Sequence, residues 1–322
     1  MRKLALWVWV SIAALAAADA DAQVCGTILT SPVVLTADVV CGLGQDGLTV
    51  AASNVEIDLN GFSVIGGGWG GGGHTTVGVR AAGVDAVTIR GPGRIEGFGR
   101  PIEIQGGVAH TIQQVTSTST SLLNNVSLSV VEDCVIALEL RADPGLIAAE
   151  NRIVRNRITN VGGSGILLNG CGVQNNLVQS NVVLPLSAIV LHHANGNWVL
   201  HNHIKNGHII MGAASGNTIA ANKIQPYGPN TGIWMGGFYG LSCGPVNGSN
   251  DNRITGNQIA NAGLAMEVVE ATGNRISDNT FANATLAGVR LSHVSFANDA
   301  RFNNYINVAT PVLDYGTGNL WP

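Results

Sequence analysis

The feature that most constrains this chain is a pair of asparagines, five residues apart, that recurs through its second half. From Asn151 onward the pattern reads Asn-x-Ile-x-x-Asn-x-Ile, then a loop, then a small residue followed by Ile-x-Leu. The second asparagines of successive copies lie 25, 21, 20, 35, 22 and 25 residues apart. They are Asn156, Asn181, Asn202, Asn222, Asn257, Asn279 and Asn304. A period of this length indicates a solenoid, in which each repeat buries its apolar face only against its neighbours.

The pattern within each copy predicts the type of solenoid. Short runs of alternating apolar residues are separated by Gly or Asn turns, which is typical of β-strands. Only 11% of the residues are charged, which excludes helical bundles and coiled coils because both need densely charged faces. Three short strands per repeat predict a parallel β-helix, with about eleven coils counted between Val77 and Leu313. The asparagines are expected to stack as a ladder, each amide bonding to backbone and to the next asparagine.

The amino-terminal segment has the pattern of a secretory signal peptide. A basic start at Arg2 and Lys3 is followed by an apolar run and by the small-x-small site Ala20-Asp21-Ala22. We therefore expect cleavage near Ala22, a single β-helix domain over 23–322, and a secreted or periplasmic protein. No later stretch is long and apolar enough to predict a membrane span. The net charge of −4, without any cluster of Lys or Arg, argues against nucleic-acid binding.

The five cysteines predict one disulfide and leave the others open. Cys25 and Cys41 are close in sequence and share the amino-terminal segment, so we expect them to be bonded in an oxidising compartment. The pairing of Cys134, Cys171 and Cys243 remains open, since they lie far apart in the sequence. No Cys-x-x-Cys or His/Cys spacing is present, so no metal site is predicted.

The amino-terminal half resembles a known group of proteins. The residues that carry the resemblance are Cys25-Gly-Thr-Ile, then Cys41, and then Val55-Glu-Ile-Asp-Leu-Asn-Gly-Phe-Ser-Val-Ile65. With the asparagine repeats, they resemble secreted right-handed parallel β-helix proteins of the pectin-lyase-like superfamily. The resemblance implies an all-β, single-stranded right-handed parallel β-helix. This scaffold serves polysaccharide lyases, glycoside hydrolases, uronate epimerases and non-catalytic proteins. The sequence motifs of polygalacturonases, pectate lyases and alginate epimerases are absent, so no named activity follows.

Alignment of the repeats predicts which outward side chains stack on neighbouring coils. The outward position of small-Ile-x-Leu is occupied by Leu167, Val190, Ile210, Trp234, Glu267, Arg290 and Leu313. Trp234, Glu267 and Arg290 should therefore be vertical neighbours about 5 Å apart, with Glu270 and His293 beside them where the strands end. An exposed Trp offers a flat surface to a sugar ring, and the charged groups and imidazole could perform acid–base chemistry. The alternative is that Glu267 and Arg290 form only a surface salt bridge.

Further candidates surround this set of residues. The coil containing Trp234 carries an insertion of roughly 13 residues, and long loops of a solenoid often shape a binding face. Tyr227 and Tyr239 flank Trp234, and His192 and His193 follow the outward position of an earlier coil. We assign substrate binding to the residues Trp234, Tyr227, Tyr239 and His193. We assign catalysis to the residues Glu267, Arg290, His293, Glu270 and His192.

These assignments favour a protein that acts on polysaccharide, with lyase-type cleavage of an acidic glycan as the expected reaction. Arg290 would neutralise a uronate, and His293 or His192 would remove the adjacent proton. No cofactor is required, although Ca²⁺ could bridge Glu267 and Glu270 to an acidic polymer. Two alternatives stay open: a glycoside hydrolase that uses Glu267 or Glu270, and a non-catalytic protein that binds glycan. The sequence also leaves the oligomeric state open.

Overall fold

The chain winds into a solenoid whose coils each place short strands on three faces. The structure is a computed structural model that describes residues 23–68, 75–159, 163–237 and 248–321. Within these ranges the elements are 34 β-strands, without a helix. All pairings between them are parallel, each strand bonding to its equivalent in the next coil. The expected signal peptide, residues 1–22, lies outside the described residues, so its cleavage stays a prediction.

Each face is a stack of strands, and three long strands bend around corners from one face to the next. The first face contains Val33–Val34, Glu56–Asp58, the starts of Thr88–Glu96 and Thr111–Asn124, Val130–Glu132, Arg152–Val154, Leu177–Gln179, Trp198–Leu200, Thr218–Ala220, Arg253–Thr255 and Arg275–Ser277. The second face contains Val39–Val40, Ser63–Ile65, the end of Thr88–Glu96, the middle of Thr111–Asn124, the start of Val135–Arg141, Arg157–Ile158, Val182–Val183, His203–Lys205, Lys223–Gln225, Gln258–Ala260, Thr280–Ala282 and Asn304–Ile306. A further small pair, Ala148–Ala149 with Val173–Gln174, lies outside these faces.

The third face is the most regular and shows the number of turns. It contains Ile28–Leu29, Leu48–Val50, Val77–Ala82, Arg100–Gln105, the ends of Thr111–Asn124 and Val135–Arg141, Gly163–Asn169, Ser187–His192, Ile209–Gly212, Ile233–Gly236, Leu264–Val268, Ala287–Leu291 and Val312–Asp314. Eleven of these strands lie between Val77 and Asp314, which confirms the predicted number of coils, and two more precede them.

Inward-facing aliphatic side chains fill the solenoid. In strand Gln258–Ala260 the central Ile259 is fully buried while its neighbours face outward, and the same alternation recurs from coil to coil. Burial of one such side chain contributes about 1.5–3 kcal/mol. Because each coil covers the next, a single continuous core runs from Leu29 to Val312.

Two asparagine ladders run along the turns, as the repeat predicted. In each, the Oδ1 of one asparagine accepts bonds from the backbone N–H and Nδ2 of the asparagine one coil earlier. The Nδ2 also donates to a carbonyl of the preceding coil, so the buried amides are satisfied. The first ladder contains Asn151, Asn176, Asn197, Asn217, Asn252, Asn274, Asn298 and Asn319. The second contains Asn156, Asn181, Asn202, Asn222, Asn257, Asn279 and Asn303.

The second ladder corrects one prediction of the repeat pattern. Asn279 donates to Asn303 at 3.0 Å, whereas the sequence pattern placed Asn304 at the end of the series. Asn304 is exposed because Tyr305, and not Ile306, takes the inward place of the last copy. The Tyr305 ring packs against Phe281 with centroids 5.6 Å apart.

The cysteines have three different states. Cys25 and Cys41 form the predicted disulfide, which links the ends of the amino-terminal segment. Cys134 is a buried free thiol, and burial raises its pKa to about 12. Cys171 is also disulfide-bonded, and Cys243 lies outside the described residues. In the described part of the chain, no helix is long and apolar enough to cross a membrane.

Candidate functional site

The outward positions of the third face form the vertical row that the repeats predicted. Ile210 lies opposite Trp234, Trp234 opposite Glu267, and Glu267 opposite Arg290 in consecutive strand pairings. Leu313 continues the row on the next strand. Stacked strands lie about 4.8 Å apart, so this row is a continuous strip of solvent-facing side chains.

Within this row, Glu267 and Arg290 are bonded to each other. The Arg290 guanidinium donates to Glu267 Oε1, and the carboxylate side chain is only 13% exposed against 41% for the arginine. The indole of Trp234 lies over Gly236 of the same strand, since a Cβ at Gly236 would collide with it. Any side chain larger than hydrogen at this position would displace the indole. The salt bridge between Glu267 and Arg290 is therefore present, and the indole covers Gly236.

The other predicted residues lie at several places. His293 is exposed, its Nδ1 lies 3.1 Å from the Tyr315 carbonyl, and its ring packs on Tyr315 at 5.2 Å. Glu270 lies in a turn with φ of +51° after strand Leu264–Val268. Tyr227 is 61% exposed and precedes strand Ile233–Gly236. Tyr239 lies outside the described residues. His192 lies two strands before Trp234 and three before Glu267, so it is separated from the rest of the predicted catalytic set.

A bonded chain of three polar side chains orients His192. Asn169 and His192 are partners in adjacent strands, and His192 Nδ1 lies 3.1 Å from Asn169 Oδ1. The Asn169 Nδ2 donates to Glu139 Oε1 at 3.1 Å, which fixes the amide so that its oxygen faces the imidazole. An amide oxygen only accepts, so Nδ1 carries the proton and Nε2 is the basic nitrogen. We call Glu139, Asn169 and His192 the relay.

The relay lies beside a small pocket where the strands of the third face end. The pocket has a volume of about 230 Å³, and Arg141, Asp143, His192 and His193 are among the residues that line it. The His192 and His193 rings are 4.4 Å apart. Burial lowers the pKa of both imidazoles, and the neighbouring His193 lowers that of His192 further. Both rings are therefore neutral at pH 7.

The charged groups of the pocket are held by several hydrogen bonds. Arg141 donates through Nε and Nη2 to Asp143 Oδ1, at 3.1 and 2.7 Å. Asp143 Oδ2 accepts from Asn124 and Asn125, at 2.7 and 3.0 Å. Bonds from the two amides, and then from Arg141, lower the pKa of Asp143. The pocket thus presents a fixed guanidinium beside a neutral imidazole.

The sequence analysis did not identify Glu139, Asn169 and Arg141 as site residues. Arg141, Asn169 and His192 lie opposite one another on three consecutive strands, two residues beyond the outward row. We call this stack the column of His192. The signal was available in the alternation of Val135–Arg141, whose outward Glu139 pairs with Leu167. This strand lies before the regular repeats begin at Asn151, so the repeat alignment did not include it.

The described residues contain no group of three or more His, Cys, Asp or Glu side chains arranged to hold a metal ion. Glu267 is bonded to Arg290, which competes with a cation for the carboxylate. A Ca²⁺ ion bridging Glu267 and Glu270 to substrate therefore stays a prediction.

Comparison with known proteins supports the fold. Residues 146–305 match the family model of the right-handed β-helix region. A sequence comparison with curated proteins finds no match.

Several solved structures share the architecture at low sequence identity. The A-module of the mannuronan C-5 epimerase AlgE6 of Azotobacter vinelandii is similar with a TM-score of 0.57 at 12% identity, covering 92% of this chain and 83% of that one. A DFA-IIIase of Arthrobacter chlorophenolicus A6 in complex with GF2, without its lid, gives 0.53 at 13%, covering 92% and 84%. A PL6 alginate lyase in complex with a trisaccharide gives 0.52 at 14%, covering 93% and 81%. At such low identity, the structural similarity establishes the fold alone. Together with the family match, it confirms the right-handed β-helix that the resemblance implied.

Proposed function

We propose that this chain, a right-handed parallel β-helix protein of the pectin-lyase-like superfamily, cleaves an acidic polysaccharide bound across its third face. The reaction is lyase-type β-elimination with His192 as the base. The observation that carries the proposal is the relay, because it gives one imidazole a defined tautomer, a neutral charge state and a fixed direction. The names of the similar structures, an epimerase of mannuronan and an alginate lyase, support a polysaccharide substrate.

The relay suits His192 for proton abstraction. With Nδ1–H donated to Asn169, the lone pair of Nε2 accepts the proton from the carbon next to the uronate carboxylate. The electron pair left on that carbon forms a carbon–carbon double bond, and the bond to the glycosidic oxygen breaks. The departing oxygen takes a proton from water, and the imidazolium returns its own proton to solvent. The products are one chain with an unsaturated end and one with a new hydroxyl group.

Arg141 suits the second requirement, which is to neutralise the carboxylate of the substrate. Arg141 pairs with Asn169 in register, so its guanidinium lies in the column of His192 and lines the same pocket. The two bonds to Asp143 use two of its five N–H donors, and the fork geometry of a guanidinium matches a carboxylate. Withdrawing charge from the uronate makes the adjacent C–H more acidic, which lowers the barrier to its removal.

A glycoside hydrolase is the second candidate, and one arrangement favours it. Glu103 and Glu139 are separated in the outward row by Leu122 alone, so their backbones lie two strand spacings, about 10 Å, apart. A groove of about 390 Å³ contains Leu122 and Glu139 in its lining, next to Arg100. Inverting hydrolases place their carboxyl groups about 6.5–9.5 Å apart. Glu103, however, is 5% exposed and lies within 3.5–3.6 Å of Arg80 and Arg100, so its carboxylate is already paired with two guanidinium groups.

The two reactions differ in their products, so one assay separates them. The protein is incubated with uronate-containing and neutral polysaccharides while ultraviolet absorbance of unsaturated ends and reducing sugar are followed in parallel. A lyase raises both signals, and a hydrolase raises reducing sugar alone. Binding without either signal would support a non-catalytic glycan-binding protein.

Variants then assign the base. We expect His192→Ala to lower kcat about 10²–10⁴-fold, the usual contribution of a general base. Asn169→Ala should lower kcat less, because it removes the orientation of the ring and not the ring itself. His203→Ala is the matched control, since His203 is also a partly buried imidazole of lowered pKa but lies on the second face. Full activity of a folded His192→Ala protein would contradict the assignment.

A further inference from the structure

A second and larger pocket lies at the opposite end of the same third-face strands. Its volume is about 540 Å³, within the range of about 300–1,000 Å³ usual for small-molecule sites. It is built from four consecutive coils, because it contains the starts of Gly163–Asn169 and Ser187–His192, the corner at Asn206–His208, and the loop from Tyr227 to Asn230. Along strand Ser187–His192, it extends from Val190, about 7 Å from His192, to Ser187, about 16 Å away, since each residue of a strand advances about 3.3 Å.

The lining of this larger pocket differs chemically from that of the pocket beside the relay. Its floor contains Val190 and Ile210, the outward aliphatic residues that precede Trp234 in the vertical row. Among the described residues that line it, none is Asp, Glu, Lys or Arg. The imidazole of His208 is held neutral, since burial lowers its pKa. A charged sugar would therefore lose hydration on entering without gaining an opposite charge.

Polar groups are nevertheless placed around the apolar floor. Asn206, His208 and Asn230 line the pocket with hydrogen-bond donors and acceptors, and the exposed Tyr227 provides an aromatic face. Ser187 also lines the pocket, but its Oγ is buried, so it is not counted among the groups that a ligand contacts. An apolar surface with a few polar groups is the usual pattern of a small-molecule pocket, and hydroxyl groups on an uncharged ring match both parts.

We infer that this pocket binds an uncharged sugar residue, whose ring packs on Val190, Ile210 and Tyr227 and whose hydroxyl groups reach Asn206 and His208. The inference rests on the proposed function in one respect, namely that a glycan lies across the third face. It adds the substrate class: a mixed polysaccharide in which an uncharged residue lies a few units from the uronate that is cleaved. A polymer made only of uronates would leave this pocket without a suited occupant.

Direct binding of small uncharged sugars tests the pocket without any cleavage. Saturation-transfer NMR is recorded with the intact protein and the methyl glycosides of glucose, galactose, mannose, rhamnose and N-acetylglucosamine, and with methyl glucuronide. We expect transfer to at least one uncharged glycoside and none above background to the glucuronide. Absence of transfer to all five uncharged glycosides, or equal transfer to the glucuronide, would overturn the inference.

Variants locate the binding. Tyr227→Ala changes an exposed side chain and should raise the dissociation constant about tenfold, which is a loss of about 1.4 kcal/mol of binding free energy. Val190→Glu places a carboxylate on the pocket floor and should abolish binding, whereas Leu313→Glu makes the same change in the same vertical row far from the pocket and should leave it unchanged. Thermal unfolding of each variant shows whether it is folded. Unchanged binding in folded Tyr227→Ala and Val190→Glu proteins would overturn the site.

The outcomes of the two sets of experiments are distinguishable. If His192→Ala abolishes cleavage while no uncharged glycoside binds, the pocket inference fails and the proposed lyase stands. If glycosides bind in the pocket while the chain cleaves no polysaccharide, the pocket stands and the proposed reaction fails.

Discussion

Removing one amide from the middle of the second asparagine ladder should destabilise the whole solenoid. Asn202 is 1% exposed, and its Oδ1 accepts the backbone N–H and the Nδ2 of Asn181 at 2.9 and 3.0 Å. Its Nδ2 donates to the Val178 carbonyl and to Asn222, both at 3.0 Å. Asn202→Ala therefore strips a buried donor and a buried acceptor of their partners. At about 1–3 kcal/mol for each of these two groups, we expect the free energy of unfolding to fall by about 2–6 kcal/mol.

Urea denaturation followed by tryptophan fluorescence measures this loss. We expect a lower midpoint with an unchanged slope, because the surface exposed on unfolding stays the same. The rate of amide hydrogen exchange should rise first in the coils that contain Asn181 and Asn222, since a solenoid is stabilised by nearest-neighbour contacts. Asn304→Ala is the matched control, because Asn304 is an exposed asparagine outside the ladder, and its cost should stay below about 0.5 kcal/mol. Equal losses in the two variants would refute the reasoning.

Three further predictions concern the disulfide, the buried histidine and the free thiol. Reduction with dithiothreitol, or a Cys25→Ser/Cys41→Ser variant, should destabilise the amino-terminal coils by about 3 kcal/mol, because the bond closes a loop of 16 residues; an unchanged melting curve would contradict this. Burial lowers the pKa of His110 in the folded chain below 6.5, so the unfolded chain binds more protons as the pH falls. Stability should therefore be constant above about pH 7 and decrease below pH 6.5, and His110→Asn should flatten the profile of melting temperature against pH. Iodoacetamide at pH 8 should leave Cys134 unmodified in the native protein, since its pKa is raised to about 12, and mass spectrometry should find it alkylated only after unfolding.

The asparagine spacing predicts much of the fold because a parallel solenoid has one register from coil to coil. Once Asn222 and Asn257 are taken as equivalent, Trp234 and Glu267 must be vertical neighbours, and the structure places them opposite each other. The same argument fails only where the pattern itself is ambiguous. The last copy contains two adjacent asparagines, Asn303 and Asn304, and the spacing does not show which one joins the ladder. Asn303 joins it, because Tyr305 packs inward against Phe281.

The candidate site is less predictable, because the repeat spacing fixes the strand position of a residue but not the direction and contacts of its side chain. His293 follows Arg290 by three residues, as the alignment has it, but the spacing could not show that its imidazole packs on Tyr315 of the following coil. The relay depends on two hydrogen bonds between neighbouring coils: His192 donates to Asn169 within one column, and Asn169 donates to Glu139 of the next column. The larger pocket is formed by corner residues such as His208 and Tyr227, which lie between the repeated strands and carry no periodic signal.

The most direct test of the proposed function is a crystal structure of the His192→Asn protein with an acidic oligosaccharide that the unaltered chain cleaves. The account predicts a sugar chain that crosses strands Gly163–Asn169 and Ser187–His192, with one uronate carboxylate on Arg141 and its adjacent C–H directed at position 192. An oligosaccharide bound on the first or second face, or held only at the Glu267–Arg290 pair, would contradict it.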